Sequence, residues 1–146
     1  MNWTIFTIGK PKLGFAKAGV EEYGARLGPF AAVKLEVLKA GDREEESARL
    51  LARSEGTFRI VLDERGEQLT SRAFAEKITR WENDAVKSVS LLIGGADGHT
   101  DALRKSADWT WALSKLTLQH ELALVVLYEQ IYRAYAIKAG LPYHRD

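Results

Sequence analysis

The chain has 146 residues, a length that fits one domain with its own hydrophobic core. Its composition, 46% hydrophobic and 28% charged, is typical of a globular protein and excludes a fibrous or strongly biased chain. A net charge of +1 lacks the basic excess of non-specific nucleic-acid binders, and the absence of cysteine excludes disulfides and thiolate metal sites.

Targeting and metal-binding signals are also missing from the sequence. Residues 1–5 have neither the basic region nor the long apolar region of a signal peptide, and no apolar run is long enough to span a bilayer. We therefore expect a cytoplasmic protein without membrane contact. The three histidines do not have the spacing of a helical metal-binding pair, so no metal is expected.

The first half of the chain predicts a strand, a helix, a second strand and a second helix. Residues 3–8 are strand-like and end at a Gly-Lys-Pro stop signal. The helix that follows has apolar residues at alternating spacings of four and three: Ala16, Val20, Tyr23 and Leu27. Residues 31–38 alternate like a strand with one solvated face, and residues 44–54 are typical of a charged, exposed helix.

The second half predicts buried strands separated by helices. Residues 57–62 and 88–93 are β-rich and almost continuously apolar, as expected for parallel strands covered on both faces. Between them Thr70 can cap a helix with three apolar positions on one face: Phe74, Ile78 and Trp81. A short strand is predicted at 109–113. This order indicates an α/β fold, one domain over residues 1–146, with helices on both faces of a parallel sheet.

The segment 121–139 predicts a long helix that is apolar on nearly every side. Such a helix must be buried all round, and one small sheet covers only one side of it. A second subunit would cover the other side, so we expect a homodimer built largely on this helix. The alternative is a central helix in the core of a single chain.

Two loops follow the buried strands, where ligands of open α/β sheets bind. They are residues 63–67 and the glycine-rich residues 94–100, which lead into a helix from about residue 101. Glycines let the backbone approach a ligand closely, although the same pattern also fits a simple tight turn. We expect His99 of this loop to be solvated.

A third loop, residues 114–120, interleaves hydroxyl groups with leucines. This mixture fits a flat, partly apolar ligand held by main-chain hydrogen bonds. It also fits an ordinary strand-to-helix connection with Thr117 or Gln119 near the cap.

The last six residues, 141–146, carry unusual chemistry for a chain end. After Pro142 come a phenol, an imidazole and a guanidinium, which can stack on a base, move a proton and bind an anion. The tail is therefore either part of a site or a structural segment in which Tyr143 fills a gap.

Taken together, these segments resemble the ribosomal RNA large-subunit (23S) pseudouridine N3-methyltransferases, which are minimal members of the SPOUT class. The resemblance covers the whole chain and is most specific in its C-terminal motifs. They are residues 91–98 (LLIGGADG), 111–120 (WALSKLTLQH), 132–134 (YRA) and 142–145 (PYHR).

The resemblance implies a deep trefoil knot near the C-terminus of a SPOUT-type parallel sheet, a homodimer, S-adenosylmethionine (SAM) as cofactor and ribosomal RNA or the assembled ribosome as substrate. By carry-over, the cofactor-binding residues would be Leu62, Gly94, Gly95, Leu113, Ser114, Lys115, Leu116, Thr117 and Leu118. The catalytic end of the site would be Tyr143, His144 and Arg145.

Side-chain chemistry suggests how the tail would divide its work. His144 is the candidate to accept the N3 proton of pseudouridine, directly or through water. Arg145 could stabilise the negative charge that grows on the flanking carbonyl oxygens, and Tyr143 could stack on the base or donate a hydrogen bond.

Three positions depart from the pattern of the family. Asp97 stands where glutamate is common, Gln119 replaces a proline and Glu67 replaces a lysine. None of these changes removes a group with an assigned chemical role. We expect effects on cofactor affinity and on the order of the third loop.

Two other classes of function fit parts of the sequence. A nucleotide-binding oxidoreductase would need a phosphate-binding fingerprint after the first strand, and residues 8–11 (IGKP) have none. A non-catalytic ribosome- or RNA-associated α/β dimer would need neither a cofactor loop nor a reactive tail.

Overall fold

Five parallel strands form the centre of the molecule. In this computed structural model, which describes residues 1–144, their order in the sheet is β2-β1-β4-β3-β5. The strands are β1 (Asn2–Ile8), β2 (Ala32–Leu38), β3 (Phe58–Glu67), β4 (Ser88–Leu92) and β5 (Trp109–Trp111). The predicted parallel α/β sheet is confirmed.

Helices cover both faces of this sheet, as predicted. They are α1 (Gly14–Leu27), α2 (Arg43–Arg53), α3 (Ser71–Asn83), α4 (Asp101–Lys105) and α5 (His120–Lys138). Helices α1, α3 and α5 share one apolar core with the sheet, and α2 and α4 share the core on the opposite face. Within residues 1–144, no helix is long and apolar enough to cross a membrane.

The two cores arise from the alternation of side chains along each strand. In β1, Trp3 and Ile5 point towards α1, α3 and α5, whereas Phe6 and Ile8 point towards α2 and α4. Because both faces are covered, the central strands need apolar residues at almost every position. Burial of each such side chain contributes about 1.5–3 kcal/mol relative to its exposure.

Helix α5 lies on the sheet between α1 and α3. Leu124, Leu127 and Ile131 are fully buried on its sheet side, whereas Leu122 on its outer side is 40% exposed. Close contact with α1 depends on Gly19, where a Cβ atom would lie 2.8 Å from Val125 Cγ1. A single chain thus buries most of this apolar helix. The homodimer and the trefoil knot both stay predictions.

An irregularity in β3 shapes the edge of the sheet at which the strands have their carboxyl ends. Leu62 and Glu67 both pair with Trp111 of β5, so residues 63–66 bulge out of the ladder. Gly66 returns the chain to the sheet, and a Cβ atom there would lie 2.7 Å from the carbonyl oxygen of Thr110. Only glycine permits this close approach of two backbones.

Replacement of Gly66 by alanine should therefore destabilise the protein. We expect Gly66→Ala to lower the free energy of unfolding by about 1–3 kcal/mol, because backbone atoms of β5 must move. Gly14→Ala is the matched control: its added Cβ meets no atom within 4 Å, and alanine favours the helix by at most about 1 kcal/mol. Urea denaturation measures both. Equal stabilities would show that the bulge does not need glycine.

Candidate functional site

A cleft of about 560 Å³ lies at the carboxyl ends of β3, β4 and β5. Its walls are the bulge at residues 63–66, the glycine-rich loop, the third loop and the first turn of α5. In the structure the glycine-rich loop spans residues 93–100 and the third loop spans residues 112–119. Parallel pairing brings these loops to one edge of the sheet, where open α/β folds bind ligands. The volume is that of a small-molecule site.

The cleft brings together nearly all residues that the family resemblance assigns to the cofactor. Those that line it are Leu62, Gly94, Gly95, Leu113, Ser114, Leu116, Thr117 and Leu118. Lys115 is in the same loop but is exposed and is not a lining residue. Cofactor binding by this set stays a prediction, which the shared location supports.

The two glycines at the centre of the cleft are backed by buried polar side chains. A Cβ atom at Gly94 would lie 3.0 Å from Cε1 of His99, and one at Gly95 would lie 2.5 Å from Oε1 of Glu46. Glu46 is only 7% exposed, and its Oε2 accepts a hydrogen bond from the Gly41 N–H at 3.1 Å. Packing behind the loop therefore requires glycine at both positions. The opposite side of the glycine pair faces the cleft.

The expectation that His99 is solvated is wrong. His99 is 3% exposed, and its Nε2 lies 3.1 Å from the carbonyl oxygen of Leu62. Because a carbonyl only accepts, Nε2 must carry the hydrogen and donate it. The ring is buried because the adjacent glycines leave room for it and the end of β3 needs a donor. No residue among 1–144 forms a hydrogen bond with its Nδ1.

Burial lowers the pKa of His99 below its ordinary value of 6.5. The nearby guanidinium of Arg104 acts in the same direction, while the Leu62 carbonyl, the Asp63 carboxylate and the Leu92 carbonyl oppose it. The imidazole is therefore neutral near pH 7.

The third loop is tied to the bulge and closes one side of the cleft. The Thr117 hydroxyl donates to Oε2 of Glu64 at 2.9 Å, and Ser114 Oγ accepts from the Leu116 N–H at 3.0 Å. Leu116 is 74% exposed at the lip of the cleft. An apolar side chain held in water at a cleft mouth is typical of a surface that a ligand or partner covers.

The three departures from the family pattern have clear structural positions. Gln119 caps α5, since its side-chain oxygen accepts from the N–H groups of Glu121 at 2.9 Å and Leu122 at 3.0 Å. Glu67 points away from the cleft and accepts a hydrogen bond from Trp109 Nε1 at 2.8 Å. Asp97 lies exposed on the cleft rim.

The C-terminal tail packs on its own helices. The Tyr143 hydroxyl lies 3.2 Å from Oε1 of Glu129, to which it donates, and 3.4 Å from the hydroxyl of Tyr23. The ring centres of Tyr143 and Tyr132 lie 4.7 Å apart in a T-shaped arrangement, and the Arg133 guanidinium lies 5.0 Å from the ring centre of Tyr143. Tyr143 thus fills a position on the outer side of α1 and α5.

The tail and the cleft are not brought together within one chain. Neither Tyr143 nor His144 is among the cleft-lining residues, and Arg145 lies outside the described residues. Burial and, to a smaller extent, the hydrogen bond to Tyr23 raise the pKa of Tyr143. Its phenol is therefore neutral and cannot act as a base. His144 is half-buried.

Comparison with known proteins agrees with this architecture. Residues 1–144 match the family described as "Predicted SPOUT methyltransferase". The chain belongs to the SPOUT methyltransferase family. This confirms the resemblance found in the sequence.

Full-length relatives of this SPOUT protein carry one shared name. A protein of Thermus thermophilus is 43% identical over 145 residues, covering 99% of each chain. A protein of Deinococcus radiodurans is 39% identical, again over 99% of each chain. Both are named ribosomal RNA large subunit methyltransferase H.

Solved structures share the SPOUT fold at low sequence identity. A Haemophilus influenzae protein assigned to a methylase family is 12% identical with a TM-score of 0.60, covering 99% of this chain and 71% of that one. A Legionella pneumophila protein assigned as a methyltransferase, solved with bound SAM, is 11% identical with a TM-score of 0.53, covering 92% of this chain and 66% of its own. At these identities the likeness concerns the fold.

The buried His99 should make stability depend on pH. Since its pKa is lowered by folding, the unfolded chain binds more protons between the folded value and about 6.5. The free energy of unfolding should therefore fall as the pH drops below about 6.5 and level off below the folded value. Urea denaturation of the wild type and His99→Gln measures this; His120→Gln, which removes an exposed histidine, is the control. The same slope in all three proteins would contradict the assignment.

Proposed function

We propose that this protein is a SAM-dependent methyltransferase that acts on large-subunit ribosomal RNA, at N3 of a pseudouridine. The observation that carries the proposal is the cleft at the carboxyl edge of the sheet, lined by the residues that the SPOUT resemblance assigns to the cofactor. The shared name of the full-length relatives supports ribosomal RNA as the substrate.

The residues of the cleft fit the chemical groups of SAM. The side chains of Leu62, Leu113 and Leu116 offer an apolar slot for adenine, and the backbone of the glycine-rich loop offers hydrogen bonds to its edge. The carboxylates of Asp63 and Glu64 line the same cleft and complement hydroxyl or cationic groups. Among residues 1–144, no cluster of His, Asp or Glu could hold a metal ion.

When bound, SAM supplies a methyl group on a cationic sulfur, which is electrophilic without further activation. The work of the protein is then to align the nucleophile with that methyl group. Good alignment is worth up to about 7–11 kcal/mol of the barrier. The tied loops, in which Thr117 bonds to Glu64 and His99 bonds to Leu62, provide rigid walls for this purpose.

The tail residues would act on the substrate base. His144 accepts the N3 proton, and Arg145 stabilises the charge on the flanking carbonyl oxygens. The neutral phenol of Tyr143 either stacks on the base or, as in the present conformation, anchors the tail to Glu129.

A homodimer would bring the tail to a cleft. Leu13, Phe15 and Leu122 are 41%, 51% and 40% exposed, and we call them the α1–α5 patch. The start of α1 lies against the start of α5, since the Glu121 carboxylate accepts from the Leu13 N–H at 3.0 Å. Large exposed apolar side chains grouped in this way mark an interface.

The geometry of α5 explains why a partner would complete the site. The helix has 19 residues and is roughly 28 Å long; its first turn lines the cleft and its last turn leads to the tail. In a two-fold dimer with antiparallel α5 helices, the end of one helix lies beside the start of the other. Each tail would then reach the cleft of the partner.

Further parts of the proposal follow from the family. The protein would contain the deep trefoil knot, fold as one domain over residues 1–146, and act in the cytoplasm, where its substrate is. Because the net charge is only +1, free RNA should bind weakly, and the assembled ribosome is the expected substrate.

Replacement of His144 should separate catalysis from cofactor binding. We expect His144→Ala to reduce methyl transfer to ribosomes by about 10²–10⁴-fold while calorimetric SAM affinity stays within threefold. His120→Ala, at the cleft rim, is the control for loss of a histidine as such. Unchanged turnover in His144→Ala would remove it as the base.

The same two measurements, SAM binding and methyl transfer, distinguish the proposed enzyme from the alternative function. A non-catalytic ribosome-associated dimer would bind ribosomes but neither bind SAM nor transfer a methyl group. Absence of SAM binding by the wild-type protein would therefore overturn the proposed enzyme.

The dimer is tested by a charge placed in the α1–α5 patch. We expect Phe15→Glu to convert the dimer into a monomer at micromolar concentration, because the charge must be desolvated at the interface. Val37→Glu is the matched control, since Val37 is 37% exposed on β2, outside the patch. Light scattering measures both. A wild-type protein that is already monomeric would end the dimer proposal.

A further inference from the structure

One buried histidine joins two of the loops that form the cleft. His99 belongs to the glycine-rich loop after β4, and its Nε2 donates to the carbonyl of Leu62, the last residue of β3 before the bulge, 3.1 Å away. The same ring lies against Gly94, where an added Cβ atom would be 3.0 Å from Cε1 and 3.1 Å from Nδ1. Both Leu62 and Gly94 line the cleft.

We propose that His99 is a positioning residue of this cleft: its neutral imidazole joins β3, at the last residue before the bulge, to the glycine-rich loop and sets the spacing between Leu62 and Gly94. We call this contact the clip. The proposal rests on the proposed function, because it assigns the clipped walls to SAM binding. His99 itself lies behind these walls and does not act on the reacting atoms.

The clip combines a hydrogen bond with a steric stop. The residue after Leu62 begins the bulge of β3, so the Leu62 carbonyl stands at the edge of the regular ladder. A buried carbonyl without a donor is costly, and the imidazole N–H meets this need. On its other side, the ring supports Gly94 and prevents the loop from collapsing towards β3.

Protonation should open the clip. The groups that act on the ring, besides the Leu62 carbonyl, are Asp63 from β3, Arg104 from α4 and the Leu92 carbonyl from β4; Glu46 from α2 lies behind the neighbouring Gly95. A cationic ring that is only 3% exposed must regain solvent, and it does so by leaving its place between the loops. Since SAM requires the closed spacing, its affinity should decrease as the pH falls through the pKa of His99, which burial holds below 6.5.

Two amide variants separate the hydrogen bond from the ring. The amide nitrogen of glutamine can occupy the position of Nε2 and donate to Leu62, whereas that of asparagine reaches only the position of Nδ1. Neither amide titrates in this range. His99→Gln should therefore retain the clip without its pH dependence, and His99→Asn should lose the clip.

The decisive measurement is SAM affinity by calorimetry from about pH 7.5 down to the lowest pH at which the fold is retained, for the wild type and both variants. We expect wild-type affinity to decrease as His99 becomes protonated. His99→Gln should keep, over the whole range, the affinity that the wild type has at about pH 7.5, and His99→Asn should bind roughly tenfold more weakly than this throughout, the equivalent of one hydrogen bond. Wild-type affinity in His99→Asn, or an equal pH response in all three proteins, would overturn the proposal.

Hydrogen exchange of the ligand-free proteins gives an independent answer. Amides in residues 62–66 and 93–100 should exchange faster in His99→Asn than in the wild type, and His99→Gln should restore their protection. If the wild type does not bind SAM at all, the proposed function fails, and this comparison alone decides whether the clip exists. Equal exchange in the three proteins would show that it does not.

Discussion

The packing of α5 on the sheet connects every functional part of this protein. Leu127 and Ile131 are fully buried, and Gly19 lets α1 approach the helix at Val125. This packing places the first turn of α5, capped by Gln119, in the wall of the cleft. It also fixes where the chain leaves the helix and thus where Tyr143 can dock. The distance between cleft and tail in one chain is therefore a consequence of the core.

Parallel strand pairing supplies the second constraint. It collects the ends of β3, β4 and β5 at one edge, but loops at such an edge still need internal support to form a defined site. Here the support is polar: the buried His99 holds Leu62, the buried Glu46 lies behind Gly95, and the exposed Thr117 binds Glu64 at one side of the cleft. Gly94 and Gly95 are needed because His99 and Glu46 stand close behind them. The cleft is thus shaped by the side chains behind its loops as much as by the residues that line it.

Sequence patterns predicted the elements whose signals are local. Almost continuous apolar runs marked β3 and β4, and Thr70 marked the start of α3, where its hydroxyl accepts from the Ala73 N–H at 3.1 Å. The burial of His99 could not be predicted, because its partner Leu62 is 37 residues away and a Gly-His-Thr sequence is typical of an exposed loop. The docking of Tyr143 on Tyr23 joins residues 120 positions apart, and no periodicity reports such a contact.

The central claim is that a complete site combines the cleft of one chain with the tail of its partner. Mixing two inactive variants tests it most directly: one chain lacks residues 143–146, and the other carries Gly94→Val, whose side chain clashes with His99 behind the glycine-rich loop and distorts the cleft. Only a heterodimer with sites shared between chains contains an intact cleft facing an intact tail. Random mixing should then restore about a quarter of the wild-type methyl transfer to ribosomes, because half of the dimers hold one complete site of two. No recovery, in a mixture whose heterodimers are verified by native mass spectrometry, would contradict the account.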